Sequence, residues 1–494
     1  MPDSASLKAL FDPQSFRAEG HKLIDLLADS LQHSLAGEGN ARTSQQPNQS
    51  AAQWRDHLQA ALAGNAAPTA ASELFSQWIG QSIKTHHPHT MGHQVGVTAP
   101  IAALADLLGS LLDTGNGVFE VGDPATAVER AVVMDLARRL NMGENAGGYL
   151  TSGGTLGNLT ALLAARQAAA PFDAWKHGND GTRSFGVLVS EQAHYCIDRA
   201  ARVMGWGERG VIKVRTDAQS RMQTGAMQEA LDSTRAEGIQ VIAAVGNAGT
   251  TATGAFDPLD EIAEFCRVNG LWFHADAAHG GAVVFSPKYR HLLKGIEYAD
   301  SIVIDFHKLM MSPSLTTAVL FKREATSFGA FAQEAKYLWR TKDPISVGGD
   351  ALPWFDAAHR TMECTRPMAA LRVFALLANH GDKAIANYVE SVFAAAQEFA
   401  KIIQTTPGFE LLTPPTANII CYRIAPPELT DAESDALNTA VRTQLISEGN
   451  FYIVETKIAD RTWLRSAIMN PFTSGEHFRS LLETLLRIRE EINI

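Results

Sequence analysis

Long charge blocks, dense cysteine and long apolar spans are all missing from this 494-residue chain. No run of about five or six like charges occurs, and 53 acidic against 42 basic residues give a formal net charge of −11. Nucleic acid and anionic membrane surfaces are therefore not expected as partners. The four cysteines, Cys196, Cys266, Cys364 and Cys421, form no C-x-x-C pair and no dense framework. That usage fits reduced thiols in a cytosolic protein, and structural zinc is not expected. No stretch of about 18 uncharged apolar residues occurs, and the N-terminal "MPDSASLKALFDPQSFRAEG" has no basic start followed by an apolar core. Neither a membrane span nor a secretory leader is expected, and the expected location is the cytoplasm.

What is present is apolar sequence sufficient for a large core: 46% hydrophobic against 19% charged residues, with no disorder signature. The length exceeds the roughly 250–300 residues at which one core stops growing, so two or three domains are expected. Residues 1–85 read as a helical arm, with Phe16, Leu23, Ile24, Leu27 and Leu31 at helical spacing and too few apolar faces for a core of their own. Residues 86–365 alternate amphipathic helices with short apolar runs: "FGVLVS", "VIKV", "IQVIAAVGN", "LWFHAD", "SIVID" and "TTAVLFK". Near-continuous apolar strands separated by helices predict an α/β domain built on a mainly parallel sheet covered on both faces. Residues 366–494 read as a small C-terminal α+β domain of long helices, the candidate strands "FELLTP", "NIICYRI" and "TWLRSAIMNP", and a final helix.

In a sheet of that kind ligands bind at the carboxyl ends of the strands, and the unusual residues fall there. "TSGGTLGNLTALLAAR" brings a Gly/Ser turn into a helix near Thr155. It is either a plain turn before a cap or a phosphate site, with Gly153 and Gly154 allowing close backbone approach and Thr155 and Asn158 adding hydrogen bonds. It is neither G-x-G-x-x-G nor a Walker sequence. In "HADAAHGG", Asp276 ends a strand and can hold a positive ring nitrogen, while Ala277 and Ala278 leave room for a flat ring. His274, Asp276 and His279 are alternatively metal ligands, but two residues on one strand face make an incomplete set. His194 follows "FGVLVS" and can be a structural histidine or one that stacks on a ring. Thr250 follows "IQVIAAVGN". Lys308, in "SIVIDFHKLMMSP", follows "SIVID"; alone it would be a solvated loop lysine, but together these placements match pyridoxal 5′-phosphate, which takes a lysine on its aldehyde and an aspartate on its ring nitrogen.

At these residues the chain resembles the group II pyridoxal-phosphate-dependent amino-acid decarboxylases, through "FRAEGHKLIDLLADSL", "HHPHTMGHQ", "GVFEVGDPATAVER", "TSGGTLGNLTALLAAR", "HADAAHGG", "DFHK" and "RSAIMNP". The resemblance implies the fold-type-I architecture of pyridoxal-phosphate-dependent transferases: a mainly parallel seven-stranded sheet flanked by helices, the small C-terminal domain and the N-terminal arm. It implies a homodimer with shared active sites and a small-molecule amino-acid substrate. It implies that Lys308 forms the Schiff base, Asp276 binds the ring nitrogen and His194 stacks on the ring and joins in catalysis. Gly154, Thr155 and His307 would hold the phosphate region with Asn158 assisting, and Thr250 and Ala278 would line the cofactor. Met310 and Met311 are expected to be packing residues.

The resemblance breaks at "WFDAAHRTMECTR", where Phe355 falls at the position of a loop tyrosine that returns a proton in familiar members. Two products stay open: an amine with CO2, with His359 or His194 as proton donor, or an aldehyde made by oxidative deamination, as in some relatives with Phe there. His93 and Gln94 stand where aromatic-amino-acid decarboxylases have aromatic residues, so a small polar or charged substrate side chain is expected. The His86, His87, His89 and His93 group lacks a nearby carboxylate or thiol, and no metal is expected. Arg366 is either a carboxylate partner or a structural arginine.

Overall fold

The computed structural model describes residues 4–43, 45–63, 70–178, 183–331 and 354–492. It divides into two compact units, one of Met1–His93, Lys401–Leu411 and Tyr422–Ile494, the other of Gln94–Ala400 and Leu412–Cys421.

The second unit is built on strands β1 (Gly147–Thr151), β2 (Ser184–Ser190), β3 (Val211–Val214), β4 (Ile239–Asn247), β5 (Trp272–Asp276), β6 (Ser301–Asp305) and β7 (Thr317–Phe321), in the order β1-β7-β6-β5-β4-β2-β3. Strands β3, β2, β4, β5 and β6 run parallel, and β7 is antiparallel to both β6 and β1. This is the mainly parallel seven-stranded sheet of fold type I. Every residue of β5 and β6 is buried, as continuous apolar runs require when helices cover both faces. Burying Ile302, Val303 and Ile304, each at 0% exposure, stabilises the fold by about 1.5–3 kcal/mol apiece. The helix Gly154–Ala169 lies on one face, its Ala161, Leu162, Ala164 and Ala165 sharing a core with Val303 and Val319. Gly157 permits that approach, because a Cβ there would sit 3.0 Å from Val303 Cγ2.

Strand β1 is the element that the apolar-run reading passes over, since "GGYLT" looks like a turn and glycine weakens a strand interior. Its glycines are required by packing: a Cβ at Gly148 would meet the backbone of Val319 and Leu320 on β7. Tyr149, 1% exposed, anchors the strand by donating its hydroxyl to the carbonyl of Arg360 at 2.6 Å.

The first unit opens with the helices Ser4–Leu10, Pro13–Leu35, Pro47–Leu62 and Ala71–Gln81. Asp12 caps the second, accepting from the Ser15 N–H at 2.9 Å. Its strands β8 (Phe409–Leu411), β10 (Val454–Ile458) and β11 (Arg461–Ala467) belong with β9 (Ile419–Ile424) to a sheet of order β10-β11-β9-β8, and the last three residues of β9 lie in this unit. The expected strands and final helix are joined by two elements not anticipated, β10 and the helix Asp431–Glu448. That helix starts on a capping box between Thr430 and Glu433. Among the described residues no helix is long and apolar enough to cross a membrane.

Candidate active site

The carboxyl ends of β4, β5 and β6 and the start of the helix Gly154–Ala169 enclose a cavity of about 310 Å³, at the small end of ligand sites. Gly154, Thr155, Asn158, His194, Thr250, Asp276, Ala278, His307 and Lys308 all line it. Nine positions spread over more than 150 residues of sequence thus meet in one place. Gln94 is not among the lining residues, and His93 belongs to the first unit, where its ring lies 5.9 Å from that of Tyr452.

At one end Gly153, with φ of 108°, turns the chain into the helix; the Leu156 and Gly157 N–H groups donate to its carbonyl, and those of Gly154 and Thr155, both lining the cavity, have no intrahelical partner. The close neighbour there is Asp305, since a Cβ at Gly154 would stand 3.2 Å from its Oδ1. Asp305 was not foreseen as a lining residue. It ends β6, 2% exposed, and accepts from Thr317 Oγ1 at 2.5 Å and Lys308 Nζ at 2.9 Å, with His307 Nε2 at 3.7 Å. Burial pushes its carboxyl up, but the charges of Lys308 and His307 and the Thr317 hydroxyl outweigh this and hold it below the usual carboxylate range. Burial likewise pushes the Lys308 ammonium down, and Asp305 beside it carries the net direction up. The segment around Gly96 holds this turn in place. The Gly96 N–H donates to the His307 carbonyl at 3.3 Å, and a Cβ at Gly96 would lie 2.7 Å from that oxygen.

At the other end Asp276 is fixed through both oxygens, Oδ2 accepting from Asn158 Nδ2 at 3.1 Å and Oδ1 from the Ala278 N–H at 3.2 Å. His194 caps the helix Tyr195–Val203, its Nδ1 accepting from the Cys196 N–H at 3.3 Å, so the ring proton sits on Nε2. Burial, helped by the Lys308 charge, holds this imidazole below its ordinary value and therefore neutral near pH 7. Thr250, 2% exposed, bonds Thr253 Oγ1 at 2.9 Å and accepts from the Ala255 N–H. His307 Nδ1 lies 3.0 Å from the Thr316 carbonyl. His279 points its Nε2 to Asn418 Oδ1 at 2.7 Å, and no group of three metal-ligating side chains occurs among the described residues.

Arg366 is spent on structure. Only 4% exposed, it donates to the Asn116 and Leu150 carbonyls and to Glu129 Oε1 at 3.0 Å. Arg366→Ala should cost roughly 3–5 kcal/mol of stability by stranding the buried Glu129, read as a lowered Tm, with the substrate KM of the folded fraction unchanged. Met310 is buried packing, 1% exposed, and Met311 takes a left-handed φ of 50°. Phe355 packs edge-on against Phe119 at 5.9 Å and against Trp354 at 5.8 Å.

The donor set fits pyridoxal 5′-phosphate: N–H groups at a helix start for a phosphate, an amine for an aldehyde, a carboxylate for a ring nitrogen, and the small Ala278 between them. A lysine, an aspartate and an anion-binding helix start on the carboxyl edge of one sheet define a pyridoxal-phosphate enzyme of fold type I. The comparisons with known proteins narrow the class. Residues 68–425 match the Pyridoxal-dependent decarboxylase conserved domain. The chain belongs to that family, and it is a pyridoxal-phosphate-dependent carboxy-lyase.

Its relatives include an L-2,4-diaminobutyrate decarboxylase of Acinetobacter baumannii, 28% identical over 433 residues, covering 85% of this chain and 83% of that protein. A glutamate decarboxylase-like protein of Gibberella zeae is 30% identical over 449 residues, covering 84% and 86%. Among solved structures, the glutamate decarboxylase domain of diaminobutyrate-pyruvate transaminase and L-2,4-diaminobutyrate decarboxylase from Vibrio parahaemolyticus superposes with a TM-score of 0.80 at 26% identity, covering 96% of each chain.

Proposed function

We propose that the protein decarboxylates an L-amino acid with a small polar or charged side chain, releasing CO2 and an amine, with Lys308 as the covalent anchor of the cofactor. The observation that carries this reading is the joint presence of Lys308, Asp276 and the Gly154 helix start in one cavity. When bound, pyridoxal phosphate supplies an electron sink for the pair left at the substrate Cα by the departing carboxylate. Gly154, Thr155 and His307 hold the phosphate, and Asn158 assists through Asp276. Asp276 keeps a proton on the ring nitrogen. His194 presents its neutral ring to the cofactor face and carries on Nε2 a proton within the cavity. Thr250 and Ala278 shape the walls.

Two features support the polar substrate and the homodimer. Gln94 Nε2 is a buried donor with no protein partner among the described residues; it lies outside the cavity lining but two positions from the Gly96 that meets the Lys308 turn, and a polar substrate side chain reaching past that turn would satisfy it. The helix Pro100–Leu112 exposes Leu104, Leu107, Leu108, Leu111 and Leu112, each 44–63%. A second copy of this chain would cover such a face.

Incubation with diaminobutyrate, aspartate, glutamate and cysteine sulfinate, with assays for CO2, amine, aldehyde, ammonia and oxygen uptake, tests the reaction. One of these should yield CO2 and amine in equal amounts. Aldehyde with consumed oxygen would overturn the reading.

The Asp305–Lys308 pair adds a pH dependence. Only a neutral amine attacks an aldehyde, so capture of cofactor by the cofactor-free protein should speed up as pH rises. Asp305 favours the ammonium, so Asp305→Asn should move that rise to lower pH, measured by rapid-mixing absorbance. A rise moved to higher pH would contradict the assigned role.

A further inference from the structure

Behind Asp276 lies a file of buried polar side chains, of which Asn158 alone lines the cavity. Trp272 Nε1 donates to Ser301 Oγ at 2.8 Å, Ser301 Oγ meets His274 Nδ1 at 2.9 Å, and His274 Nε2 meets Asn158 Oδ1 at 2.7 Å. Asn158 Nδ2 then donates to Asp276 Oδ2 at 3.1 Å and Cys196 Sγ at 3.2 Å. His274 and Ser301 are 0% exposed and Asn158 1%. They come from β5, β6 and the helix Gly154–Ala169; Trp272, His274 and Asp276 alternate along β5, so the file runs along one face of that strand to the cavity at its carboxyl end.

Its two ends fix the direction of every proton between them. An indole N–H can only donate and a carboxylate can only accept. Because Asp276 only accepts, Asn158 turns Nδ2 to it and Oδ1 to His274. His274 Nε2 therefore carries the ring proton, Nδ1 accepts, and Ser301 Oγ, taking the Trp272 N–H on one lone pair, gives its own hydrogen to Nδ1. Burial pushes His274 down to about 4, against the pull of Asp276, so the imidazole is neutral and has one proton to place. The Ser301 backbone carbonyl is also 3.2 Å from Nδ1, and it would take a proton from the other tautomer. The serine hydroxyl selects between the two. Cys196 does not compete as an anion, since burial and Asp276 push its thiol up to about 12.

We propose that Trp272, Ser301, His274 and Asn158 form a one-way hydrogen-bond chain that holds the Asp276 carboxylate in the orientation in which it engages the cofactor ring nitrogen, with His274 as its central positioning residue. This rests on Asp276 being the ring-nitrogen partner. Without the His274 donor, Asn158 Oδ1 is a buried acceptor that has lost its partner and the amide is held only at its Asp276 end, so the carboxylate loses a fixed donor. The ring nitrogen loses an oriented partner while the Lys308 and phosphate ends are untouched. The titratable groups facing Asp276 are His194, Cys196, Lys308 and His274.

The test compares His274→Leu, His274→Gln and Ser301→Ala as cofactor-loaded enzymes, with Asp276→Asn as the benchmark. Two readouts are used: the pH profile of the bound-cofactor absorbance from pH 6 to 9, and kcat separately from KM. His274→Leu should lower kcat about ten- to a hundredfold, as loss of an outer partner does at metal sites, with KM little changed and the absorbance profile displaced in the direction of Asp276→Asn. Glutamine carries an N–H where His274 Nε2 stands and should restore most of both. Ser301→Ala, which removes a single oxygen, releases the tautomer and should displace the profile in the same sense. Wild-type absorbance and kcat in His274→Leu and Ser301→Ala, alongside an altered Asp276→Asn, would overturn the chain. An unaltered Asp276→Asn would instead overturn the ring-nitrogen reading beneath it.

Discussion

Lys308→Ala is expected to abolish the visible absorbance of the cofactor-loaded protein and reduce decarboxylation by more than the roughly 10²–10⁴-fold that loss of a positioned acid–base group costs, because the covalent anchor is lost with it. A second consequence follows from the ion pair. Lys308 Nζ is 2.9 Å from Asp305, whose side chain is 3% exposed. Removing the ammonium leaves a buried carboxylate supported by Thr317 and His307 alone, and breaking a buried pair on one side costs roughly 3–5 kcal/mol. The cofactor-free variant should therefore melt earlier than the cofactor-free wild type. Lys308→Arg separates the two effects. A guanidinium still neutralises Asp305 but forms no bond to an aldehyde, so stability should return in part and colour should not. A visible band surviving in Lys308→Ala would show that another amine anchors the cofactor.

Asp276→Asn is expected to lower kcat by roughly 10²–10³-fold, the scale seen when one oriented electrostatic partner is removed from an active site. The substituted amide keeps the size of the carboxylate and can still accept from Ala278 N–H or Asn158 Nδ2, so the fold and the phosphate end should be preserved. It has no charge with which to hold a proton on a ring nitrogen. The loss should fall on kcat, leave KM within a few-fold, and leave cofactor capture by Lys308 intact. A large rise in KM with kcat unchanged would place Asp276 at the substrate instead.

The sheet and the cavity were legible in the sequence to different depths. Strands β2, β4, β5 and β6 announce themselves because burial on both faces demands nearly unbroken apolar runs, and the polar residue ending each run marks the carboxyl edge. That is how Lys308, Asp276 and His194 could be found from single stretches. Strand β1 could not, because its Gly147 and Gly148 exist to let β7 approach, a reason visible only once β7 is in place. Asp305 was in view inside "DFHK" but carried no sign that it would turn inward to Lys308 and Thr317. The His274–Asn158 contact joins residues 116 apart in the chain, and no local pattern encodes a pairing between a strand histidine and a helix amide. Arg366 shows the converse: its sequence context allowed a substrate role, and only its bonds to Glu129, Asn116 and Leu150 assign it to the interior.

The central claim is that the turn after β6 delivers the amine that anchors pyridoxal phosphate. Borohydride treatment of the cofactor-loaded protein, followed by digestion and peptide mass mapping, tests it directly. The account predicts one phosphopyridoxyl mass increment, on the peptide containing "DFHK", with fragmentation assigning it to Lys308. An increment confined to any other lysine would contradict it.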